Sequence, residues 1–170
     1  MAALDQGLAP VVAVDCQLLI LGSMPGRASL AAQNYYAHPR NLFWPFMAEM
    51  LQTALPEDFN ERYSLLKQAG IGLWDVIAEC ERPGSLDQQI VSPTIKANDL
   101  TGLVAQLPKL QAIALNGKTA AQQFRRHYPH LINGALTIIE LPSTSPANAS
   151  MPYAQKCAAW RGLCAYTAGN

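Results

Sequence analysis

Short apolar runs alternate along the chain with segments in which apolar residues recur at helical spacing. The apolar runs of strand length cover residues 11–21, 110–115 and 136–141. Helical spacing covers residues 41–55, 61–69, 98–107, 119–127 and 150–165. Strands that alternate with helices in this order predict an α/β protein, a three-layer α/β/α sandwich with a short, mainly parallel central sheet.

Glycine, proline and small polar residues mark the predicted boundaries. Gly70 ends the predicted helix over residues 61–69. Asn98 or Asp99 can cap the next predicted helix, and Pro108 ends it. Ser150 is the predicted cap of the last helix. Residues 1–10 are predicted to be a loose lead-in, and residues 73–77 form a compact apolar segment. No repeat, low-complexity tract or linker interrupts the pattern, so residues 1–170 are predicted to form a single domain.

Polar loops follow each of the three predicted strands. These loops cover residues 22–40, 116–118 and 142–149. The first one opens with a tight turn marked by Gly22, Pro25 and Gly26, where backbone can approach a ligand closely. In a parallel sheet the carboxyl ends of the strands lie on one edge, where ligands bind. The sequence therefore predicts a site at this edge, without fixing its chemistry.

Composition narrows the range of partners. Half of the residues are hydrophobic, 14% are charged, and the formal net charge is zero. A neutral protein is not expected to bind nucleic acid tightly and non-specifically, although local basic residues such as Arg27, Arg40 and Lys118 can still hold a few phosphates. No secretory signal and no apolar stretch of membrane-spanning length is present, so we expect a cytoplasmic protein with no membrane partner.

Metal and cofactor motifs are missing from the sequence. The cysteines at positions 16, 80, 157 and 164 form no C-x-x-C pair, and the histidines at 38, 127 and 130 complete no zinc pattern. Phosphate-binding and dinucleotide-binding glycine motifs are also absent. We therefore expect no metal and no cofactor. Ser23, His38 and Asp75 could be combined into a hydrolytic triad, but nothing around Ser23 has the pattern of a nucleophile elbow.

Five segments, in order, carry a resemblance to a known family: GSMPG, YYAHPRNLFW, GIGLWDVI, ALNGKTA and LPSTSPANA. Together they resemble the uracil-DNA glycosylase superfamily, most of all its hypoxanthine-DNA glycosylase (DNA-deoxyinosine glycosylase) family and its mismatch-specific branch. Single segments such as GSMPG are weak signals, whereas all of them in order are specific and span nearly the whole chain. The resemblance agrees with the predicted fold class.

The resemblance implies a monofunctional DNA glycosylase of base-excision repair. Such an enzyme hydrolyses the N-glycosidic bond of a deaminated base that is flipped out of DNA; here we expect hypoxanthine first and uracil second. The partner is then DNA that contains a deaminated base, and we expect the enzyme to act as a monomer. No lysine stands at a matched motif in a place that suggests Schiff-base chemistry, so strand cleavage is not expected.

Site residues follow from the matched segments. The mismatch-specific enzymes carry a water-positioning asparagine in the first turn, where this chain has Met24. In the hypoxanthine family the asparagine of the Pro-Arg-Asn run takes that role, which implies Asn41 as the catalytic residue. The base-binding residues implied are Gly22, Ser23, Met24, Tyr36 and Asn116, and the DNA-binding residues are Arg40, Ser143, Thr144, Ser145 and Asn148. Asp75 is a possible second polar group near the sugar.

Each of these residues also has a structural interpretation. Asn41 precedes a helix and is a good N-cap, Tyr36 can close the edge of the core, and Asn116 can form a local turn. Asp75 can be a satisfied buried carboxylate, and His38 can brace its loop. Two other functions stay open. One is a family member that binds modified nucleic acid without hydrolysis, and the other is a hydrolase of free nucleosides that needs no DNA-inserting loop.

Overall fold

A computed structural model describes residues 3–168 of the chain. Its strands are β1 (Leu4–Gln6), β2 (Leu18–Gly22), β3 (Ile71–Asp75), β4 (Ile77–Glu81), β5 (Lys96–Ala97), β6 (Ala112–Asn116) and β7 (Thr137–Leu141). Its α-helices are α1 (Arg27–Ala32), α2 (Phe43–Leu51), α3 (Phe59–Gln68), α4 (Leu100–Ala105), α5 (Lys118–His127), α6 (Pro129–Ile132) and α7 (Tyr153–Arg161). Short 3-10 helices cover Asp87–Gln89, Ser92–Thr94 and Gly162–Tyr166.

The centre of the fold is a parallel sheet with the strand order β3-β2-β6-β7. Successive side chains of a strand point to opposite faces, and in β2 both faces are buried. Leu18 and Ile20 pack into one hydrophobic cluster, and Leu19 and Leu21 pack into the other. Because helices cover both faces of the sheet, β2 has to be apolar along its whole length, and this explains the continuous apolar run in the sequence.

Two helical layers enclose the sheet. Phe43 of α2, Leu66 of α3 and Trp160 of α7 are fully buried in the cluster on one face. Leu100 of α4 and Phe124 of α5 are buried in the cluster on the other face. This arrangement confirms the predicted three-layer α/β/α sandwich with a mainly parallel sheet.

A small antiparallel sheet with the order β1-β4-β5 continues the chain beyond β3. Beside it lies the buried side chain of Arg82, which is 2% exposed. Its guanidinium donates to the carboxylate of Asp5 at 3.2 Å and to the backbone oxygen of Pro25 at 2.7 Å. Arg82 therefore fixes the turn that follows β2 against the small sheet.

The predicted strands differ from the observed ones near the N-terminus. The predicted strand over residues 11–21 begins only at Leu18, and Val11 forms an isolated antiparallel bridge with Leu73 instead. The lead-in contains a strand, β1, although residues 1–2 lie outside the described part of the chain. The compact segment over residues 73–77 is divided between β3 and β4. Apolar and polar residues do not simply alternate in this segment, because β3 belongs to the parallel sheet whereas β4 belongs to a second, antiparallel sheet.

The predicted helices differ from the observed ones mainly at their ends. The predicted polar loop over residues 22–40 contains α1. The helix predicted over residues 41–55 covers only Phe43–Leu51, and its C-cap, Gln52, has a left-handed backbone with φ 53°. Helix α3 begins after Asp58, and Asp99 rather than Asn98 caps α4. The last helix stops at Arg161 and continues as a 3-10 turn, and its N-cap is Pro152, so the assignment of Ser150 as cap is wrong.

Gly117 provides a test of how the β6 and β7 loops pack. Its φ is +99°, and a Cβ there would lie 2.9 Å from the Cβ of Ser143. We expect Gly117→Ala to lower the free energy of unfolding by about 1–3 kcal/mol, through backbone strain and this clash. Urea denaturation measures the change. Gly134→Ala is the matched control, because its nearest neighbours would be carbonyl oxygens at 3.6 and 3.7 Å. Equal effects of the two substitutions would contradict the expectation.

Candidate active site

The carboxyl ends of the central strands surround one cavity of about 920 Å³. The register pairs Gly22 of β2 with Asp75 of β3, and Asn116 of β6 with Leu141 of β7. The last residues of neighbouring strands therefore lie at the same edge of the sheet. The loops that follow β2, β6 and β7 complete the walls.

Every site residue predicted from the sequence lines this cavity. These residues are Gly22, Ser23, Met24, Tyr36, Arg40, Asn41, Asp75, Asn116, Ser143, Thr144, Ser145 and Asn148. They come from segments that are widely separated in the sequence, and the sheet brings them together. Their individual roles remain predictions.

Gly22 lies at the end of β2 and lines the cavity beside Asp75 and Tyr36. A Cβ at this position would lie 2.5 Å from Oδ1 of Asp75 and 3.2 Å from the hydroxyl of Tyr36. Only a glycine leaves room for both side chains, because a heavier residue would force one of them to move. The carbonyl oxygens of Gly22 and Ser23 accept hydrogen bonds from Val76 and Ile77 at 2.9 and 3.0 Å, and these fix the turn.

Asp75 is a buried carboxyl group without a full set of partners. Its side chain is 4% exposed, and its Oδ2 has no hydrogen-bond partner among the described residues. Burial, and next the negative charge of Asp87, raise the pKa of Asp75 to about 7, although the positive charge of Arg82 acts in the opposite direction. The interpretation of Asp75 as a satisfied structural carboxylate is therefore wrong for this side chain.

Tyr36 has a strained backbone and a buried hydroxyl. Its φ is 54°, a left-handed value that is uncommon for a non-glycine residue. Its ring stacks on Phe43 with centroids 4.1 Å apart, so a ligand can stack only on the opposite face. The hydroxyl has no hydrogen-bond partner among residues 3–168. Burial, and next the charge of Asp75, raise the pKa of Tyr36, and the neighbouring Asn116 amide acts in the opposite direction.

Asn41 lies two residues before the first residue of α2, and the N-cap is Leu42, so the prediction of Asn41 as N-cap is wrong by one residue. The Oδ1 of Asn41 nevertheless accepts the backbone N–H of Phe43, the first residue of the helix, at 2.9 Å. The backbone N–H of Leu42 donates to the carbonyl oxygen of Thr144 at 3.0 Å, and so attaches the helix start to the loop after β7. A carbonyl oxygen has two lone pairs, so the bond from Phe43 leaves Oδ1 with capacity for one further hydrogen bond. The structural and the catalytic interpretations of Asn41 are therefore compatible.

Asn116 joins the ends of β6 and β7. Its Oδ1 accepts the backbone N–H of Thr144, and its Nδ2 donates to the Thr144 hydroxyl, both at 3.0 Å. Both residues are buried, Asn116 at 8% and Thr144 at 1% exposed. Asn116 thus contacts the cavity, while its amide mainly orients the loop after β7.

That loop, residues 142–149, is braced by its own polar side chains. The hydroxyl of Ser143 accepts the N–H of Ser145 at 3.1 Å, and the amide of Asn148 donates to the carbonyl oxygen of Ser143 at 3.2 Å. The buried ammonium group of Lys156 donates to the carbonyl oxygen of Asn148. The loop therefore presents a defined shape at the mouth of the cavity.

The remaining predicted polar groups do not form a hydrolytic triad. The hydroxyl of Ser23 donates to the carboxylate of Asp87 at 2.7 Å, and Nδ1 of His38 accepts the N–H of Arg40 at 3.1 Å. The proton of Ser23 is thus directed away from His38, which braces its loop as predicted. The side chain of Met24 packs with Ile77 in a small apolar cluster, so it gives the cavity no polar group.

Several residues of the cavity wall, among them Asp87 and Lys118, were not predicted as site residues, although the sequence marked Lys118 as a basic residue that can hold phosphate. Asp87 lies in a 3-10 helix after a Pro-Gly turn, and no periodicity marks it as a neighbour of Ser23. Lys118 is exposed at the start of α5 and also lines the cavity, although it lies within the matched segment ALNGKTA. The matched segment was therefore the signal that could have identified Lys118 as a site residue. Lys118 therefore needs a direct test for Schiff-base chemistry.

Neither a metal-binding cluster nor a membrane-spanning helix is found in the part of the chain that the structure describes. Within residues 3–168, no group of three or more histidine, cysteine, aspartate or glutamate side chains is placed to hold a metal ion. None of the helices in this part of the chain has the length and apolar character needed to cross a membrane.

Comparison with known proteins gave consistent matches. The family model described as "Uracil DNA glycosylase superfamily" matches residues 9–164. A protein of Methanosarcina acetivorans named "Hypoxanthine DNA glycosylase" is 35% identical over 147 residues, which cover 85% of this chain and 89% of that protein. A protein of Methanosarcina barkeri with the same name is 35% identical over 118 residues, which cover 69% of this chain and 73% of that protein.

A solved structure also resembles the fold. It is a solution NMR structure from Methanosarcina acetivorans, described as that of a candidate uracil DNA glycosylase. It superposes with a TM-score of 0.79 at 32% identity, and the match covers 95% of this chain and 97% of that one.

The buried carboxyl of Asp75 predicts a pH dependence of stability. Its pKa rises from the ordinary value of 3.8 to about 7 on folding, so the native state binds more protons than the unfolded state between these values. The free energy of unfolding contributed by this group therefore falls as the pH rises from about 4 to about 7. We expect the stability advantage of Asp75→Asn over the wild type to be larger at about pH 8 than at about pH 5.

Urea denaturation at the two pH values measures this difference. The control is Asp15→Asn, which removes an exposed carboxyl and should give the same difference from wild type at both pH values. A pH-independent difference for Asp75→Asn would show that the carboxyl ionises in the folded protein as it does in the unfolded chain.

Proposed function

The chain belongs to the uracil-DNA glycosylase superfamily, and we propose that it is a monofunctional DNA glycosylase that releases hypoxanthine, and secondarily uracil, from DNA in base-excision repair. The family match and the names of the relatives support a DNA glycosylase. One observation of the structure carries the finer proposal: Asn41, Tyr36, Gly22 and the loop after β7 meet at one cavity.

Asn41 is the proposed catalytic residue. Breaking a base–sugar bond passes through a sugar with oxocarbenium character, and water then needs orientation rather than a strong base. The free lone pair of Oδ1 can accept a hydrogen bond from that water, while the hydrogen bond from the backbone N–H of Phe43 holds the amide in place. In the proposed step a C1′–O bond forms from water while the C1′–N bond to the base breaks, and the proton that the water loses neutralises the departing base.

The leaving base has to be held and its negative charge stabilised. The N–H groups of the turn at Ser23 and Met24 are the proposed donors, since fixed backbone dipoles stabilise developing charge without reorganisation. The free face of Tyr36 is the proposed stacking surface, and such contacts contribute about 1–3 kcal/mol per base. No metal or cofactor is part of the proposed reaction.

The loop after β7 and Arg40 are the proposed DNA contacts. The braced segment over residues 143–148 would enter the gap left by the flipped nucleotide, and the exposed Arg40 would contact phosphate. Flipping costs a few kcal/mol, least for poorly paired bases, so deaminated bases are favoured at this step. We also propose that the chain acts as a single-domain monomer, because one chain supplies every wall of the cavity.

Removal of the Asn41 amide tests the mechanism. We expect Asn41→Ala to lower the rate of hypoxanthine release by roughly 100-fold or more, as the loss of a preorganised polar group does elsewhere. The assay uses a duplex oligonucleotide with one deoxyinosine, cleaved by alkali after base release. The matched control is Asn60→Ala, an exposed position on α3.

A second variant separates catalysis from the structural hydrogen bond. Asn41→Asp keeps an oxygen that can accept the N–H of Phe43, so it should fold as well as the wild type, whereas Asn41→Ala loses this hydrogen bond, at a cost of about 1 kcal/mol. Base release within a few-fold of wild type in folded Asn41→Ala would contradict the mechanism. No release by the folded wild type from either deoxyinosine or deoxyuridine strands would favour the alternative of a binding protein.

Comparison of DNA with a free nucleoside tests the role of the loop. We expect Ala147→Asp to weaken kcat/KM for the deoxyinosine oligonucleotide by about 10-fold at low salt, because the new charge repels phosphate. Hydrolysis of free deoxyinosine should stay unchanged. The matched control is Ala158→Asp on the exposed side of α7. Equal activity of Ala147→Asp and wild type on both substrates would favour a nucleoside hydrolase.

Strand cleavage without alkali is the test for Lys118. A monofunctional enzyme leaves the abasic strand intact, and borohydride should trap no covalent adduct with the DNA. Trapping that is lost in Lys118→Ala would show that the cavity-lining lysine adds a Schiff-base step, and the enzyme would then not be monofunctional.

A further inference from the structure

We propose that Asp75 determines which bases the enzyme accepts, by pairing as a neutral carboxyl group with the adjacent carbonyl oxygen and ring N–H of a lactam edge. This edge is O6 and N1–H in hypoxanthine, and O4 and N3–H in uracil. The inference rests on the proposed function and assigns Asp75 to base recognition rather than to chemistry at the sugar.

The position of Asp75 favours contact with the far edge of the base. The side chain lies on the cavity floor at the end of β3, next to Gly22, and is 4% exposed. A flipped nucleotide remains attached to DNA through its sugar, so the sugar stays at the mouth of the cavity. The edge that carries O6 and N1–H lies opposite the glycosidic nitrogen of hypoxanthine. A group on the floor therefore meets this edge.

Asp75 has hydrogen-bonding capacity that the protein leaves unused. Its Oδ2 lacks a partner among the described residues, although buried polar atoms are normally paired. The nearby cation, Arg82, directs its donors to Asp5 and to the backbone oxygen of Pro25. A base with a lactam edge would supply the missing contacts.

Charge and burial around Asp75 favour the neutral form. Asp87 is a like charge and Arg82 is the opposing one. Tyr35 and Tyr36 interact electrostatically with the carboxyl but carry no charge themselves, and burial raises the pKa of both further. The net effect raises the pKa of Asp75 to about 7. A neutral carboxyl offers one donor and one acceptor, whereas a carboxylate offers acceptors only and would repel O6.

Recognition of the lactam edge by Asp75 and flipping of the nucleotide select the base in different ways. Guanine and thymine carry the same carbonyl and ring N–H, but their stable pairing in the duplex keeps them out of the cavity. Base choice would thus combine two steps: weak pairing brings a nucleotide out of the helix, and Asp75 then selects the lactam edge.

A cycle of protein and substrate changes tests the proposal. The substrates are matched oligonucleotides with one deoxyinosine or one 2′-deoxynebularine, the purine nucleoside that lacks O6 and N1–H. We measure kcat/KM for both with wild type, Asp75→Asn and Asp75→Leu. The intrinsic reactivities of the two substrates cancel when their kcat/KM ratio is compared between a variant and the wild type.

We expect Asp75→Leu to lower the preference for deoxyinosine over deoxynebularine by roughly 10- to 100-fold, the loss of a bidentate pair. Asp75→Asn should keep the preference, because an amide also offers one donor and one acceptor. The kcat/KM of the wild type on deoxyinosine should fall as the pH rises through about 7, where the carboxyl loses its proton. This fall should be absent in Asp75→Asn and present in the control Asp15→Asn.

Several results would overturn the proposal. An unchanged substrate ratio in Asp75→Leu would show that Asp75 does not contact the edge. A loss of deoxyinosine release in Asp75→Asn as large as in Asp75→Leu would assign Asp75 to proton transfer. If Asp75→Leu does not fold, the substrate ratio and pH profile of Asp75→Asn decide between these cases.

Failure of the proposed function is distinguishable from failure of this inference. If the wild type releases neither base, the glycosylase mechanism is wrong, and binding of the same two oligonucleotides becomes the readout. Tighter binding of deoxyinosine that Asp75→Leu abolishes would still support edge recognition. Equal binding of the two oligonucleotides by the wild type would overturn it.

Discussion

Parallel pairing of β3, β2, β6 and β7 brings the carboxyl ends of these strands to one edge, and the contents of the cavity depend on this register. Gly22 pairs with Asp75, and Asn116 pairs with Leu141. A slip of β3 by one residue would turn Asp75 to the opposite face of the sheet. The apolar side chains on both faces prevent this slip, because it would exchange the residues of two packed clusters.

The packed layers allow the site to keep groups in unfavourable states. Tyr36 has a left-handed backbone, and Asp75 is buried with an oxygen that lacks a partner. Each such feature costs on the order of 1–3 kcal/mol. The fully buried residues of β2 and β6, together with Phe43 and Trp160, supply the stabilisation that offsets these costs. Tyr36 and Asp75 both line the cavity, where a bound base would relieve part of the cost.

A chain of hydrogen bonds links the proposed catalytic residue to the proposed DNA-binding loop. The side chain of Asn41 accepts the N–H of Phe43 at the start of α2, and the residue between them, Leu42, donates to the carbonyl oxygen of Thr144. Thr144 is in turn held by the buried amide of Asn116 at the end of β6. The start of α2 and the loop after β7 are therefore one rigid unit, and the position of Asn41 depends on contacts with residues far away in the sequence.

The sequence by itself determined the fold class and the edge that carries the site, and the segments that resemble the family indicated a set of residues that line it. Apolar periodicity and turn residues act between near neighbours, so they can be read from a linear pattern. Only the tertiary structure decided that β3 joins the parallel sheet, that Ser23 donates to Asp87, 64 residues away, and that the carboxyl of Asp75 lies beside Gly22 with one oxygen unpaired. These features depend on strand pairing and burial between distant segments, and burial is what shifts the pKa of Asp75.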